Sequence, residues 1–242
     1  MPPPAQAYCG APALPVDLWL RWTVDPALLL GLALGAAVLV WTGRGQPLGR
    51  RMALWGGWSV TVLAFASPLC ALAVALFAAR AGQHMLLALV AAPLLALGWP
   101  GRWRRRHGLV SLAAFAALFW LWHLPGPYDA ALRHGWLYWT SHLSLLASAV
   151  LLWRAVLPGD SPAALALGAA ASAQMGLLGA VLVFAPAALY RSHLLTAPLW
   201  GLAPWQDQQL GGLLMWVPGG IGFLSIGIIG VLRLLQRPVA AA

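Results

Sequence analysis

The stretch GQHMLLALVAAPLLALG, residues 82–98, has a histidine at its third position, His84, and then continues without a charged side chain to its end. A membrane-spanning helix needs roughly 20 mostly apolar residues. Similar apolar runs, bounded by Gly, Pro and Arg, recur on both sides of this stretch. We therefore predict seven spanning helices, at 26–42, 52–67, 82–98, 108–123, 136–154, 162–185 and 208–235. The predicted fold is all-α, a polytopic transmembrane helical bundle.

Composition supports this class and leaves no room for a separate soluble domain. Hydrophobic residues make up 62% of the 242 positions and charged residues 8%, and the mean hydropathy is +0.80. We divide the chain into a flexible outer extension (1–25), the seven-span domain (26–235) and a cytoplasmic tail (236–242). The segment before Pro15 is rich in proline and has no basic start, so it does not resemble a cleavable signal peptide. Residues 69–79 are apolar but too short to span, and they predict an interfacial helix.

The basic residues are all arginine and set the predicted orientation. Because there is no lysine, a retinal Schiff base is excluded. The net charge of +9 comes from arginines in short loops between apolar runs, which argues for topological anchoring and against nucleic-acid binding. One side carries ten of them and the other side four. The ten are Arg44, Arg50, Arg51, Arg102, Arg104, Arg105, Arg106, Arg154, Arg233 and Arg237. By the positive-inside rule that side is cytoplasmic, so the N-terminus lies outside and the C-terminus inside.

Three histidines on separate predicted spans form the candidate site. His84 begins the third span, His123 ends the fourth and His142 lies a turn or two into the fifth, all near the predicted outer boundary. Polar groups at such positions are costly unless they have partners, and they mark functional sites. The alternative is that each histidine is an isolated, hydrogen-bonded interfacial residue.

Two residues of the last span are candidate additions to this site. Asp207 stands at the start of the span and Met215 lies roughly 12 Å deeper at 1.5 Å per residue. Imidazole and thioether ligands suit copper, with zinc the next candidate. The alternative role of Asp207 is to cap its own helix.

Other polar segments carry weaker signals. His123-Leu124-Pro125-Gly126-Pro127-Tyr128-Asp129 predicts a rigid outer turn, and His193 with Tyr190 lies in a predicted outer loop. Cys9 and Cys70 have neither Cys-x-x-Cys nor zinc-finger spacing, so they predict no disulfide framework by themselves and are typical of small apolar filler.

At these segments the chain resembles the CtaG-type cytochrome c oxidase assembly factors, the polytopic family linked to caa-type terminal oxidases. The resemblance covers about Trp55 to Arg233. It lies in Ser67-Pro68, Gln83-His84, Leu86-Leu87, Ala92-Pro93, Trp122-His123-Leu124-Pro125, Tyr128-Asp129, His142, Tyr190 and the run DQQLGGLLMW at 207–216. The last run is the most specific.

The resemblance implies a non-enzymatic protein of the bacterial cytoplasmic membrane that helps to mature a haem-copper oxidase, through copper delivery to an oxidase subunit. The implied metal residues are His84, His123 and His142, with Asp207 and Met215 as additions. The family usually reads His-Met-x-Gln-His at the start of span three, whereas Arg80 and Ala81 occupy the first two positions here. This departure leaves three alternatives open. The protein binds copper more weakly, or His193 or a cysteine replaces the missing ligands, or the protein has a related role.

Three other functions compete with copper delivery. Histidines from facing helices are also the axial ligands of membrane haem proteins. A small transporter is disfavoured because no acidic residue lies at a predicted midplane. A structural subunit of the oxidase, with the histidines as hydrogen-bonding members of an interface, is the third alternative.

Overall fold

All regular structure in the described part of the chain is helical. The computed structural model describes residues 7–101, 107–157 and 161–236. Its α-helices are α1 (Pro26–Gly43), α2 (Leu48–Ala66), α3 (Leu69–Ala75), α4 (Phe77–Met85), α5 (Ala92–Gly98), α6 (Gly108–His123), α7 (Pro125–Arg133), α8 (Gly135–Val156), α9 (Pro162–Phe184) and α10 (Pro204–Leu235). A π-helical segment, Leu86–Ala91, joins α4 to α5. The predicted all-α class is thereby confirmed.

The structure supports four to six candidate spans, so the predicted seven are not confirmed. Within residues 7–101, 107–157 and 161–236, four segments are long and apolar enough to cross a membrane. They are Pro26–Gly43, Phe77–Gly98, Pro162–Phe184 and Pro204–Leu232. The count reaches six if the bent pairs α2 with α3 and α6 with α7 each form one span. The remaining predicted span is α8, which has 22 residues but carries Ser, Thr and His side chains that lower its apolarity.

The orientation stays a prediction. Five of the ten arginines that set it, Arg102, Arg104, Arg105, Arg106 and Arg237, lie outside the described residues, as does nearly all of the predicted tail.

The predicted third span begins earlier than expected and contains an irregular turn. It starts at Phe77, so the predicted interfacial helix divides into α3 and the first turn of α4. In the π segment the backbone is wider than in an α-helix, and the indole N–H of Trp153 donates to the carbonyl of Ala88 at 2.6 Å. Pro93 follows directly and has no N–H to donate. π-bulges of this kind are common beside functional sites, and here the segment begins two residues after His84.

The segment predicted as a rigid turn after His123 is instead helix α7. α6 ends at His123 as expected, and the chain bends by 74° into the next helix. Pro125 occupies the first turn of α7, where its fixed φ fits and its missing N–H is not needed. The proline therefore starts a helix here.

From residue 7 onwards, the N-terminal extension is joined to the helical bundle by a disulfide and by hydrogen bonds. Cys9 and Cys70 form a disulfide, with their Cα atoms 5.5 Å apart. Tyr8 donates a hydrogen bond to the Asp25 carboxylate, and the N–H of Ala13 donates to the carbonyl of Ala71. The interpretation of these cysteines as apolar filler was wrong. Their spacing could not indicate the pair, because the partners are 61 residues apart in sequence and only the tertiary fold brings them together. The flexibility expected for residues 1–25 stays a prediction.

Candidate functional site

The three predicted histidines meet in the interior, at one end of the bundle. His84 comes from α4, His123 from the last residue of α6 and His142 from the second turn of α8. The His84 Nδ1 and His123 Nε2 atoms are 3.2 Å apart, and the rings of His84 and His142 have their centroids 4.9 Å apart. All three side chains are buried.

Backbone carbonyls fix the tautomers of two of these imidazoles. His123 Nδ1 lies 2.6 Å from the carbonyl of Phe119, and His142 Nδ1 lies 2.8 Å from the carbonyl of Tyr138. Because a carbonyl only accepts, each Nδ1 carries the proton and each Nε2 carries a lone pair. His84 Nδ1–H then donates to His123 Nε2, and His84 Nε2 is left as a buried lone pair with no hydrogen-bond partner.

Gln83 is a fourth polar side chain in the histidine cluster, where it contacts His142. Its amide N–H donates to the carbonyl of Ala64 at 2.7 Å, which turns its Oε1 toward His142 Nε2 at 3.3 Å. In the tautomer set by Tyr138 both of these atoms are acceptors. A cation or an added proton between them would relieve the repulsion of the two lone pairs. Gln83 was not identified from the sequence as a site residue, although it adjoins His84.

The donor set matches part of a metal site. Two imidazole nitrogens bound to one tetrahedral ion at about 2.0–2.1 Å would lie about 3.3 Å apart, close to the separation of His84 and His123. Within residues 7–101, 107–157 and 161–236, no three His, Cys, Asp or Glu side chains are arranged to hold a metal ion. The spacing of His84 Nδ1 and His123 Nε2 would suit two ligands of one ion only after His84 Nδ1 has lost the proton that it donates to His123.

Arg80 brings a buried positive charge to the same cluster. Its side chain is 1% exposed, and its guanidinium carbon lies 5.1 Å from the centroid of the Tyr128 ring and 5.4 Å from that of Tyr138. The Nε and Nη1 atoms have no hydrogen-bond partner. Aromatic faces stabilise a cation only partly, so this charge also favours an anion nearby.

Tyr138 connects the histidines to the disulfide. Its hydroxyl lies 3.5 Å from the sulfur of Cys9 and 3.5 Å from that of Cys70. Its ring centroid is 4.2 Å from that of His142. No pattern in the sequence indicates this role, because a tyrosine near the start of a membrane helix is ordinary.

Asp207 belongs to α10, but its carboxylate lies at the start of α4. Its two carboxylate oxygens accept the N–H groups of Phe77 and Ala78, at 2.7 and 2.9 Å. The residue preceding α4 supplies no side-chain cap, so Asp207 caps this helix and not its own. Met215 is fully buried within the main hydrophobic core. Membership of either residue in a metal site stays a prediction.

The two glutamines after Asp207 bind the end of α9. Gln208 Nε2 donates to the carbonyl of Leu182 at 3.1 Å, and Gln209 Nε2 donates to that of Val183 at 3.0 Å. These are among the last four carbonyls of α9, which have no partner within the helix. The Asp-Gln-Gln run thus provides hydrogen-bond partners for free backbone groups at the start of α4 and at the end of α9.

Tyr190 and His193 enclose the cluster from the segment between α9 and α10. The Tyr190 hydroxyl donates to the carbonyl of His123 at 2.7 Å. The Tyr128 hydroxyl and His193 Nε2 are 2.7 Å apart. His193 is therefore a neighbour of Arg80 and Tyr128, and it belongs to the polar surroundings of the three histidines.

His193 is expected to make stability depend on pH. Burial lowers its pKa to about 4; the carbonyl of Ala75 and the charge of Asp129 oppose this shift, and the cation of Arg80 adds to it. Because the ordinary pKa is 6.5, the unfolded chain takes up a proton first as the pH falls. The contribution of neutral His193 is complete above about pH 6.5 and is lost as the pH falls toward 4.

The measurement is the free energy of unfolding in detergent across this range. A single proton contributes at most about 1.4 kcal/mol per pH unit, and His193→Gln should remove that part of the slope. His134→Gln, at an exposed position, is the control and should keep the wild-type slope. Equal slopes in the wild type and His193→Gln would show that His193 does not titrate differently in the folded state.

Helices of spanning length that enclose a buried histidine and arginine cluster define a polytopic α-helical membrane protein. The family model of the cytochrome c oxidase caa3 assembly factor (Caa3_CtaG) matches residues 32–237, so the chain belongs to this family. The resemblance drawn from the sequence is confirmed. No curated protein and no solved structure matches the chain.

Proposed function

We propose that this member of the assembly-factor family helps to mature a haem-copper oxidase in the bacterial cytoplasmic membrane by holding copper transiently and passing it to an oxidase subunit. The ion is cargo, and the protein itself performs no catalysis. His84 and His123 are the central ligands, His142 is the third nitrogen donor, and Asp207 and Met215 act through the surrounding fold.

The observation that carries this proposal is the close approach of two buried imidazole nitrogens, His84 Nδ1 and His123 Nε2, at 3.2 Å. An ion held between them replaces their hydrogen bond and requires the His84 proton to leave Nδ1. His84 Nε2 can take up that proton, because it is buried without a partner that would oppose the change. Imidazole suits copper among the first-row metals. An incomplete ligand set allows the moderate affinity that release to another protein requires.

The arrangement favours copper over haem. Two imidazoles that ligate one haem approach the iron from opposite faces of the macrocycle. Here the two imidazole nitrogens are in hydrogen-bond contact and the rings stand at 89° to one another, with no room for a macrocycle between them.

The test replaces each histidine by alanine in a host that lacks its own copy of the protein. His84→Ala and His123→Ala should lower copper affinity about tenfold or more and should reduce both oxidase activity and the copper content of the oxidase, because a ligand is lost in each. His142→Ala should have a smaller effect, and added copper should partly restore all three. His134→Ala is the matched control, since that histidine is exposed. Unchanged copper affinity and oxidase activity in all three variants would refute the proposal.

A further inference from the structure

Two features next to the histidines are not among their proposed ligands: the Cys9–Cys70 pair and Arg80, whose Nε and Nη1 atoms have no hydrogen-bond partner. Both contact Tyr138, the cysteines through its hydroxyl and the guanidinium through its ring face. We propose that Cys9 and Cys70, once reduced, form a second metal site, a two-thiolate site for Cu(I), with Arg80 on the ring face of the tyrosine whose hydroxyl contacts both sulfurs. The choice of metal rests on the proposed copper function.

The geometry of the pair suits a shared ion. The two Cα atoms are 5.5 Å apart, so two thiolates on these positions can reach one ion after small side-chain rotations. Thiolates are the soft ligands that select Cu(I). These are also the only two cysteines in the sequence. Cys70 is fully buried, whereas Cys9 is partly exposed, which leaves one side from which an ion can enter.

Charge favours the same assignment. A Cu(I) ion held by two thiolates carries a net charge of −1, whereas Cu(I) on neutral imidazoles carries +1. Arg80 is a buried cation, and no carboxylate of the described residues forms an ion pair with it; the ion pair in these ranges joins Arg21 to Asp17. Its charge therefore stabilises the thiolate complex and weakens binding at the imidazoles. The Tyr138 hydroxyl, 3.5 Å from both sulfurs, can donate a hydrogen bond to a thiolate.

The chemistry balances in two steps. First, a dithiol donor of the thioredoxin type is oxidised to its own disulfide and transfers two electrons and two protons to the Cys9–Cys70 disulfide, which breaks to give two thiols. Second, Cu(I) displaces the two thiol protons, which leave to solvent, and two Cu–S bonds form. Tyr138 lies between this pair and His142, so the two sites are consecutive positions for one ion.

The experiment measures the number of Cu(I) ions bound per chain against a competing Cu(I) chelator, in detergent, before and after mild reduction of the wild-type protein. Reduction should raise the number by one. Copper-edge X-ray absorption should show sulfur neighbours in the reduced protein and none in the oxidised protein. Cys9→Ser and Cys70→Ser should bind the same number in both redox states. Arg80→Met should weaken the added site about tenfold, whereas Arg80→Lys should retain it because the charge is kept.

The outcome that overturns the proposal is an equal number of ions in oxidised and reduced wild-type protein, with no sulfur neighbours. In that case the disulfide only fastens the N-terminal extension. Reducing the wild type needs no substitution, so the test stands even if a cysteine variant fails to fold. A His84→Ala protein that still gains one ion on reduction would show that the thiol site exists although the histidine site fails.

Discussion

Asp207→Ala is expected to lower the free energy of unfolding by about 2–6 kcal/mol, because two buried N–H groups lose their acceptors at about 1–3 kcal/mol each. The side chain is fully buried, and both of its oxygens are engaged at the start of α4. Water cannot replace them there without opening the contact between α4 and α10. The loss of a negative charge at the positive end of the α4 dipole adds to the effect.

The consequence extends to the site, because α4 carries Arg80 and His84. A frayed first turn displaces the guanidinium, which lies three residues beyond Phe77. We expect Asp207→Ala to reduce the amount of folded protein in the membrane and to abolish copper binding with it. Asp207→Asn should be milder, since the amide oxygen still accepts one of the two N–H groups.

The matched control is Asp17→Ala. Asp17 is an acidic residue of the N-terminal segment whose carboxylate pairs with Arg21 near the surface, and such pairs contribute little. Thermal unfolding in detergent and the yield of folded protein are the measurements. An Asp207→Ala protein as stable as Asp17→Ala would mean that the N–H groups of Phe77 and Ala78 do not depend on this carboxylate.

Features that depend on local pattern could be predicted from the sequence. Apolar runs located the helices within a few residues, because burial in a membrane imposes length and hydrophobicity on each segment separately. The same runs identified the three helices that bring the histidines together. Helix α8 shows the limit of that reasoning: its face toward the other helices can be polar, so its composition does not reveal whether it spans.

Pairings across the fold could not be predicted in the same way. The Cys9–Cys70 disulfide and the cap that Asp207 supplies to α4 join residues far apart in sequence. The sequence correctly predicted that Asp207 could cap a helix, but it indicated the helix that begins nearest to Asp207 in sequence and not α4. Arg80 was noticed only as a departure from the family pattern. Its burial without an anionic partner depends on α4, α7 and α8 packing together, which no local pattern encodes.

Gly212→Ala is the second large effect that we expect, because this glycine lies where α9 and α10 touch backbone to backbone. A Cβ atom there would lie 2.8 Å from the carbonyl oxygen of Gly179 and 2.9 Å from a methyl carbon of Val183. A backbone oxygen cannot rotate away, so the helices must separate. Overpacking of this kind typically costs about 1–3 kcal/mol, and we expect about 3 kcal/mol because the opposing surface is itself a helix backbone.

The same helix provides its own control at Gly220, where an added Cβ would meet nothing within 4 Å. Gly220→Ala should be neutral or stabilise by up to about 1 kcal/mol, since alanine favours the helix. Separation at Gly212 would also pull Asp207, one and a half turns earlier on α10, away from α4. Gly212→Ala should therefore lose copper binding together with stability, whereas Gly220→Ala keeps both. If Gly212→Ala lost stability but bound copper normally, the capping of α4 would not depend on how closely α9 and α10 approach.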